Sequence, residues 1–108
     1  LTCVANDYSF EAIFSRQVEG LGKAGDCLVA LSTSGNSKNV IEAVLKANQC
    51  GIKTIGMLGN NGGRLSQLCD VAIVVPSTVT ASIQEAHIMI GHVFCNVCGN
   101  VCKSEARI

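Results

Sequence analysis

Three short apolar runs, spaced by stretches of helical period, constrain this chain more than any other feature. "CLVAL" (27–31) is unbroken, as in a strand covered on both faces. "IKTIGML" (52–58) and the β-branched "VAIVV" (71–75), stopped by Pro76, follow as the next strands. Residues 8–21 carry Phe10, Ile13, Phe14, Val18 and Leu21 near a 3.6 repeat and run into Gly20 and Gly22, which predicts a helix. Residues 37–50 place Val40, Ile41, Val44, Leu45 and Asn48 on one stripe, and Gly51 ends it. A loose turn, "GNNGG" (59–63), leads to a brief helical piece around Arg64–Leu68, and residues from about 80 to 102 read as one long helix. Strands alternating with helices specify an α/β fold: a doubly wound parallel sheet in three layers, with helices on both faces. Three strands are few for such a sheet, and the chain opens at Leu1 rather than Met, so the expectation is a single, partial domain over residues 1–108.

Composition narrows the function. The chain has 108 residues, 48% hydrophobic and 15% charged, which is too apolar for disorder. It is also apolar for a small monomer, so part of its surface is expected to be buried against another chain. Net charge is zero and aromatics stop at Tyr8, Phe10, Phe14 and Phe94, which disfavours nucleic acid and anionic membranes as partners. No apolar run reaches bilayer length. Seven cysteines, among them Cys27 and Cys69 in apolar surroundings, suit buried, reduced thiols and a cytoplasmic location.

The chemistry concentrates in "LSTSGNS" (31–37), where Ser32, Thr33, Ser34 and Ser37 crowd between a strand and a helix. Ligands of open parallel sheets bind at the carboxyl ends of strands. The helix that follows offers unpaired N–H groups and the positive end of its dipole, a seat for phosphate. Hydroxyls add donors, and Gly35 permits close backbone approach. A neutral cradle of this kind suits a sugar phosphate better than a nucleoside triphosphate, and the Gly-Lys-Ser/Thr of a P-loop is absent. The plainer alternative is that Ser37 or Asn36 caps the helix and the others form a turn. Composition alone leaves both open. "GMLGNNGG" (56–63) also follows a strand, but its spacing fits a turn better than a nucleotide loop.

"LSTSGNSKNVIEAV" resembles the phosphosugar-binding signature of the SIS (sugar isomerase) domain family, whose fold is flavodoxin-like. "CVANDYSFEAIFSRQVEGLGKAGD" and "IQEAHIMIGH" resemble its phosphoheptose isomerase branch. The resemblance runs from Leu1 to about Cys98. It implies an enzyme that interconverts sedoheptulose 7-phosphate and glycero-manno-heptose 7-phosphate through an enediol, in the synthesis of lipopolysaccharide heptose. It implies that Ser32, Thr33, Ser34 and Ser37 hold the phosphate, and that Asn6, Asp7 and Gln84 line the substrate site. Gln84 and His92 would be zinc ligands, His92 would be the acid/base histidine, and the oligomer would be a homotetramer. Members of the branch carry further zinc ligands and a second acid/base in an N-terminal half that has no counterpart after Leu1, so these 108 residues by themselves are expected to be inactive. The alternative is a non-catalytic SIS module that binds a phosphosugar or the bacterial replication initiator. His92 and Ser34 are the isomerase-type choices.

Spacing alone speaks less strongly for metal. Gln84 and His92 are eight residues apart, about 12 Å along a helix, and glutamine is an uncommon zinc ligand. His87 points about 140° away from His92 and reads as structural or interfacial. Cys95, Cys98 and Cys102 fall at i, i+3 and i+7, one helical face that suits packing better than a metal centre.

Overall fold

The computed structural model describes residues 10–106, with side chains as far as Val101. A single 3-10 turn, Phe10–Ala12, leads into α1 (Ile13–Leu21). Then come β1 (Cys27–Ser32), α2 (Lys38–Gln49), β2 (Lys53–Gly59), a one-turn helix α3 (Leu65–Leu68), β3 (Val71–Val75) and α4 (Thr80–Ala106). The strands pair in the order β1-β2-β3, all parallel, with Ala30 opposite Gly56 and Gly56 opposite Ala72. The expected elements are all present, and α4 runs a turn beyond the expected end.

One face of the sheet carries the main core. Ile41 and Val44 of α2 pack with Ala30, Leu58 and Leu65, and Leu28, Val40, Leu45, Leu68 and Cys69 close around them. Each fully buried aliphatic side chain there contributes about 1.5–3 kcal/mol. The helix stops where Ile52 N–H reaches back to the carbonyl of Ala47, 2.9 Å, the closing bond of a left-handed C-terminal turn. The opposite face is crossed by α4, whose Ile83 is fully buried. Three layers are therefore present, centred on β2.

Among the described residues, β2 alone is covered on both sides. In β1, Leu28, Ala30 and Ser32 face the α2 core while Val29 and Leu31 stand 40% and 54% exposed. The expectation that "CLVAL" is covered on both faces fails because, among the described residues, α4 lies over β2 and leaves an apolar cleft beside β1. Cys27, expected to be buried, is exposed because it opens the strand. Cys69 is half-buried against Gly56, and burial pushes its thiol pKa up, outweighing a hydrogen bond with Thr54. The thiol form is inert.

The start of β2 is clamped to the start of β3. Thr54 donates both its N–H (2.8 Å) and its hydroxyl (3.2 Å) to Asp70 Oδ2, and Asp70 N–H donates to Thr54 Oγ1 at 2.9 Å. The backbone bond from Thr54 is the main reason that the Asp70 carboxyl sits below the usual aspartate range, helped by the Thr54 hydroxyl and the charge of Lys53. A carboxylate more acidic in the fold than in the free chain stabilises fully above the ordinary aspartate range. That contribution drains away as pH falls below it, towards the lowered folded value. Asp70→Asn is expected to flatten this acid limb, so the unfolding temperatures of variant and parent converge as pH drops. A constant gap down to the lowest pH of a thermal melt series would contradict it.

Candidate functional site

The carboxyl ends of β1 and β2 lie side by side, and the loops leaving them form one unit. After β1, Ser32 turns the chain: its buried Oγ accepts the N–H of Gly35 at 3.1 Å and lies 2.9 Å from Ser37 Oγ. Ser37 stands at the N-cap of α2 with an extended backbone, yet makes no capping hydrogen bond. The capping alternative for Ser37 therefore fails. Its hydroxyl faces Ser32 across the loop, leaving the helix terminus without a side-chain cap from that residue. Asn36 does not cap either, since its Oδ1 accepts the N–H of Arg64 at 2.9 Å.

The loop after β2 is not the loose turn expected. Asn60 donates Nδ2–H to the carbonyl of Thr33 (2.9 Å), and Leu65 N–H donates to the carbonyl of Gly35 (3.0 Å). With the Arg64–Asn36 bond, three hydrogen bonds bolt the two loops together. They can meet because Gly35 and Gly63, both at positive φ, lie backbone against backbone. A methyl group on Gly35 would fall on the carbonyl of Gly62, and one on Gly63 would come within 2.6 Å of the Gly35 carbonyl. Side chains on L-residues rarely tolerate either that conformation or that contact.

The hydroxyls open into a pocket of about 490 Å³ lined by Leu31, Ser32, Thr33, Ser37, Gln84, His87 and Ile88. The structure thus brings Ser32, Thr33, Ser37 and Gln84 together. Ser34 is exposed outside this lining, where its Oγ accepts the N–H of Asn36 at 3.1 Å. His92 lies two turns beyond Gln84 on α4, exposed and also outside the lining. Asn6 and Asp7 lie outside the described residues. His87 was expected to be structural or interfacial. It is 3% exposed, its Nε2 lies 2.9 Å from the carbonyl of Leu58, and it lines both this pocket and the apolar cleft beside β1.

Gln84 and His92 do not make a zinc site by themselves, since zinc takes three or four protein ligands. Among the described residues no group of three His, Cys, Asp or Glu side chains converges. Cys95 and Cys98 are free, exposed thiols, and the side chain of Cys102 lies outside the described residues. The segment Gly20–Gly25 spells G-x-G-x-x-G. It joins α1 to β1, the reverse of the order a dinucleotide loop needs. No helix among the described residues is long and apolar enough to cross a membrane.

This architecture, a parallel sheet flanked by helices on both faces with a serine-rich elbow at the end of a strand, defines a doubly wound α/β domain. The SIS domain family model matches residues 1–59, and the chain belongs to that family. Among curated proteins it is similar to the phosphoheptose isomerases of a Nitratiruptor species, 58% identical over 97 residues, and of Clostridium acetobutylicum, 54% identical over 97 residues. These alignments cover 90% of this chain and 52% and 50% of the relatives, so the chain spans about half their length. Among solved structures, phosphoheptose isomerase from Neisseria gonorrhoeae superposes with a TM-score of 0.87 at 47% identity, over 90% of this chain and 54% of that one. The Francisella tularensis enzyme gives 0.85 at 39% identity, over 89% and 52%.

Gly63 lies outside the pocket but sets the loop that lines it. Gly63→Ala is expected to cost about 2 kcal/mol or more of stability and to shift the amide resonances of Ser32–Ser37 as well as its own. A variant that melts lower but leaves those resonances in place would show that the two loops are not coupled.

Proposed function

We propose that this chain carries the phosphate-gripping part, and one acid/base residue, of an aldose–ketose isomerase acting on heptose 7-phosphates. The reaction interconverts sedoheptulose 7-phosphate and glycero-manno-heptose 7-phosphate, a step that feeds lipopolysaccharide heptose. The observation that carries this reading is Ser37: an N-cap residue whose hydroxyl leaves its helix uncapped and joins Ser32 in a pocket. The similarity to phosphoheptose isomerases over 90% of the chain supports the isomerase over the non-catalytic SIS module.

In this proposal the phosphate sits against the hydroxyls of Ser32, Thr33 and Ser37 and the first turn of α2, with Ser34 at the rim and Asn6 and Asp7 contributing to the sugar end. The reaction removes the proton from the hydroxyl-bearing carbon beside the carbonyl while the carbonyl oxygen takes up a proton, giving an enediol. Loss of the proton from the other hydroxyl, as a proton returns to the former carbonyl carbon, completes the shift. His92 is the proposed base, an imidazole being the side chain most often used for such proton transfers. Hydrogen-bond donors near the oxygen, the Gln84 amide among them, stabilise the developing charge.

Zinc on Gln84 and His92 belongs to the same proposal through family resemblance, needs further ligands, and enters none of these steps. Metal analysis of the complete gene product tests it. A homo-oligomer, proposed as a tetramer, is supported by the exposed Ile88, Met89, Val93, Val97 and Val101 of α4, and sedimentation gives the count. A phosphorylated sugar substrate goes with a cytoplasmic location.

Ser37→Ala in the complete gene product is expected to weaken heptose 7-phosphate binding about ten-fold, the scale of one hydrogen bond to a charged group. His92→Gln is expected to lower kcat by about a hundred-fold or more while substrate still binds. Calorimetry and an isomerisation assay read both. Unchanged affinity in the first variant would refute the phosphate site, and unchanged turnover in the second would refute the base.

A further inference from the structure

We infer that His87 orients the ligand by accepting, at Nδ1, a hydrogen bond from a hydroxyl of the sugar chain, an inference that rests on the sugar-phosphate reading above. The ring is fixed from behind by the backbone of β2. The carbonyl of Leu58 can only accept, so Nε2, 2.9 Å away, is the donor in every protonation state of the ring. In the neutral ring the lone pair therefore lies on Nδ1. Among the described residues no buried side-chain nitrogen or oxygen lacks a partner, and the ring's hydrogen bond is made through Nε2. Nδ1 is thus not sealed in the core, and His87 lines both this pocket and the apolar cleft beside β1, of which only the pocket carries hydroxyl groups.

The pocket then has a direction. The wall formed by β1 and the loop after it carries donors, the hydroxyls of Ser32, Thr33 and Ser37. The wall formed by α4 carries His87 and, three residues earlier on the same helical flank, Gln84. A phosphate oxygen, which carries lone pairs, is repelled by the Nδ1 lone pair and attracted by the hydroxyl wall. A sugar hydroxyl can donate to Nδ1. A polyol phosphate therefore fits in one orientation, and the acceptor favours it over inorganic phosphate.

The test separates the two ends of the imidazole. In His87→Gln the amide can still reach the Leu58 carbonyl but offers no acceptor at the Nδ1 position. In His87→Asn an amide oxygen can lie near the Nδ1 position but the reach to Leu58 is lost. In the complete gene product, His87→Gln is expected to melt close to the parent and bind inorganic phosphate unchanged. It should bind sedoheptulose 7-phosphate about ten-fold more weakly, with KM raised more than kcat is lowered. His87→Asn should melt lower and recover part of the sugar-phosphate affinity. A His87→Gln variant that binds sedoheptulose 7-phosphate like the parent, or loses it and inorganic phosphate equally, would overturn the inference. Should these variants fail to fold, the parent protein with 15N-labelled histidine decides: the Nδ1 resonance of His87 moves on adding sedoheptulose 7-phosphate and not on adding inorganic phosphate, or the inference is wrong. A parent that binds neither ligand refutes the sugar-phosphate reading and this inference together. A parent that binds sedoheptulose 7-phosphate beside an indifferent variant refutes only the role of His87.

Discussion

The contact between the backbones of Gly35 and Gly63 is the constraint on which the site depends. It lets the loop after β1 and the loop after β2 share three hydrogen bonds, from Asn60, Arg64 and Leu65, instead of moving separately. Hydroxyls on a free loop would lose conformational entropy on gripping a ligand. Here that ordering is done during folding, by the same packing that buries Leu58 and Leu65 beneath the loops. Precise placement of donors is thus a property of two adjacent strand ends rather than of the serine-rich segment alone.

Much of this could be read from the residues. The strand–helix alternation identified every element, because apolar period and glycine stops coincide with the hydrogen-bonding pattern the chain adopts. The serine-rich elbow was legible because strand ends of parallel sheets are where ligands sit. What escaped were relations between distant segments. "GNNGG" looks like any turn until Asn60 is found under Thr33, and nothing local marks Asn36 as a brace for Arg64. The glycine pair at 62–63, following a strand, was the available signal. His87 was hidden for the same reason: its partner is a main-chain carbonyl 29 residues away. The covering of β1 was misjudged because an unbroken apolar run tells that both faces are greasy, not that both are covered by the described residues.

The two halves of the sheet serve different purposes. The α2 face holds the fold together, with its closed core and the Thr54–Asp70 clamp at the entry of β2 and β3. The α4 face is the more open, with the pocket at its rim and open apolar flanks on Val29, Leu31 and the outer part of α4. His87 links the two, anchored to the central strand and lining the pocket.

Among the described residues no cationic side chain lines the pocket; its polar wall consists of hydroxyls, an amide and an imidazole. Dipoles act over short range, whereas the field of a lysine or arginine reaches about a Debye length into solvent. In the proposed function an anion would not be drawn in from afar by these residues but held once it has arrived, so their part in its capture would be little altered by ionic strength. The same hydroxyl wall, offering no full countercharge, would let a phosphate go readily, a useful property wherever substrate and product carry the same phosphate.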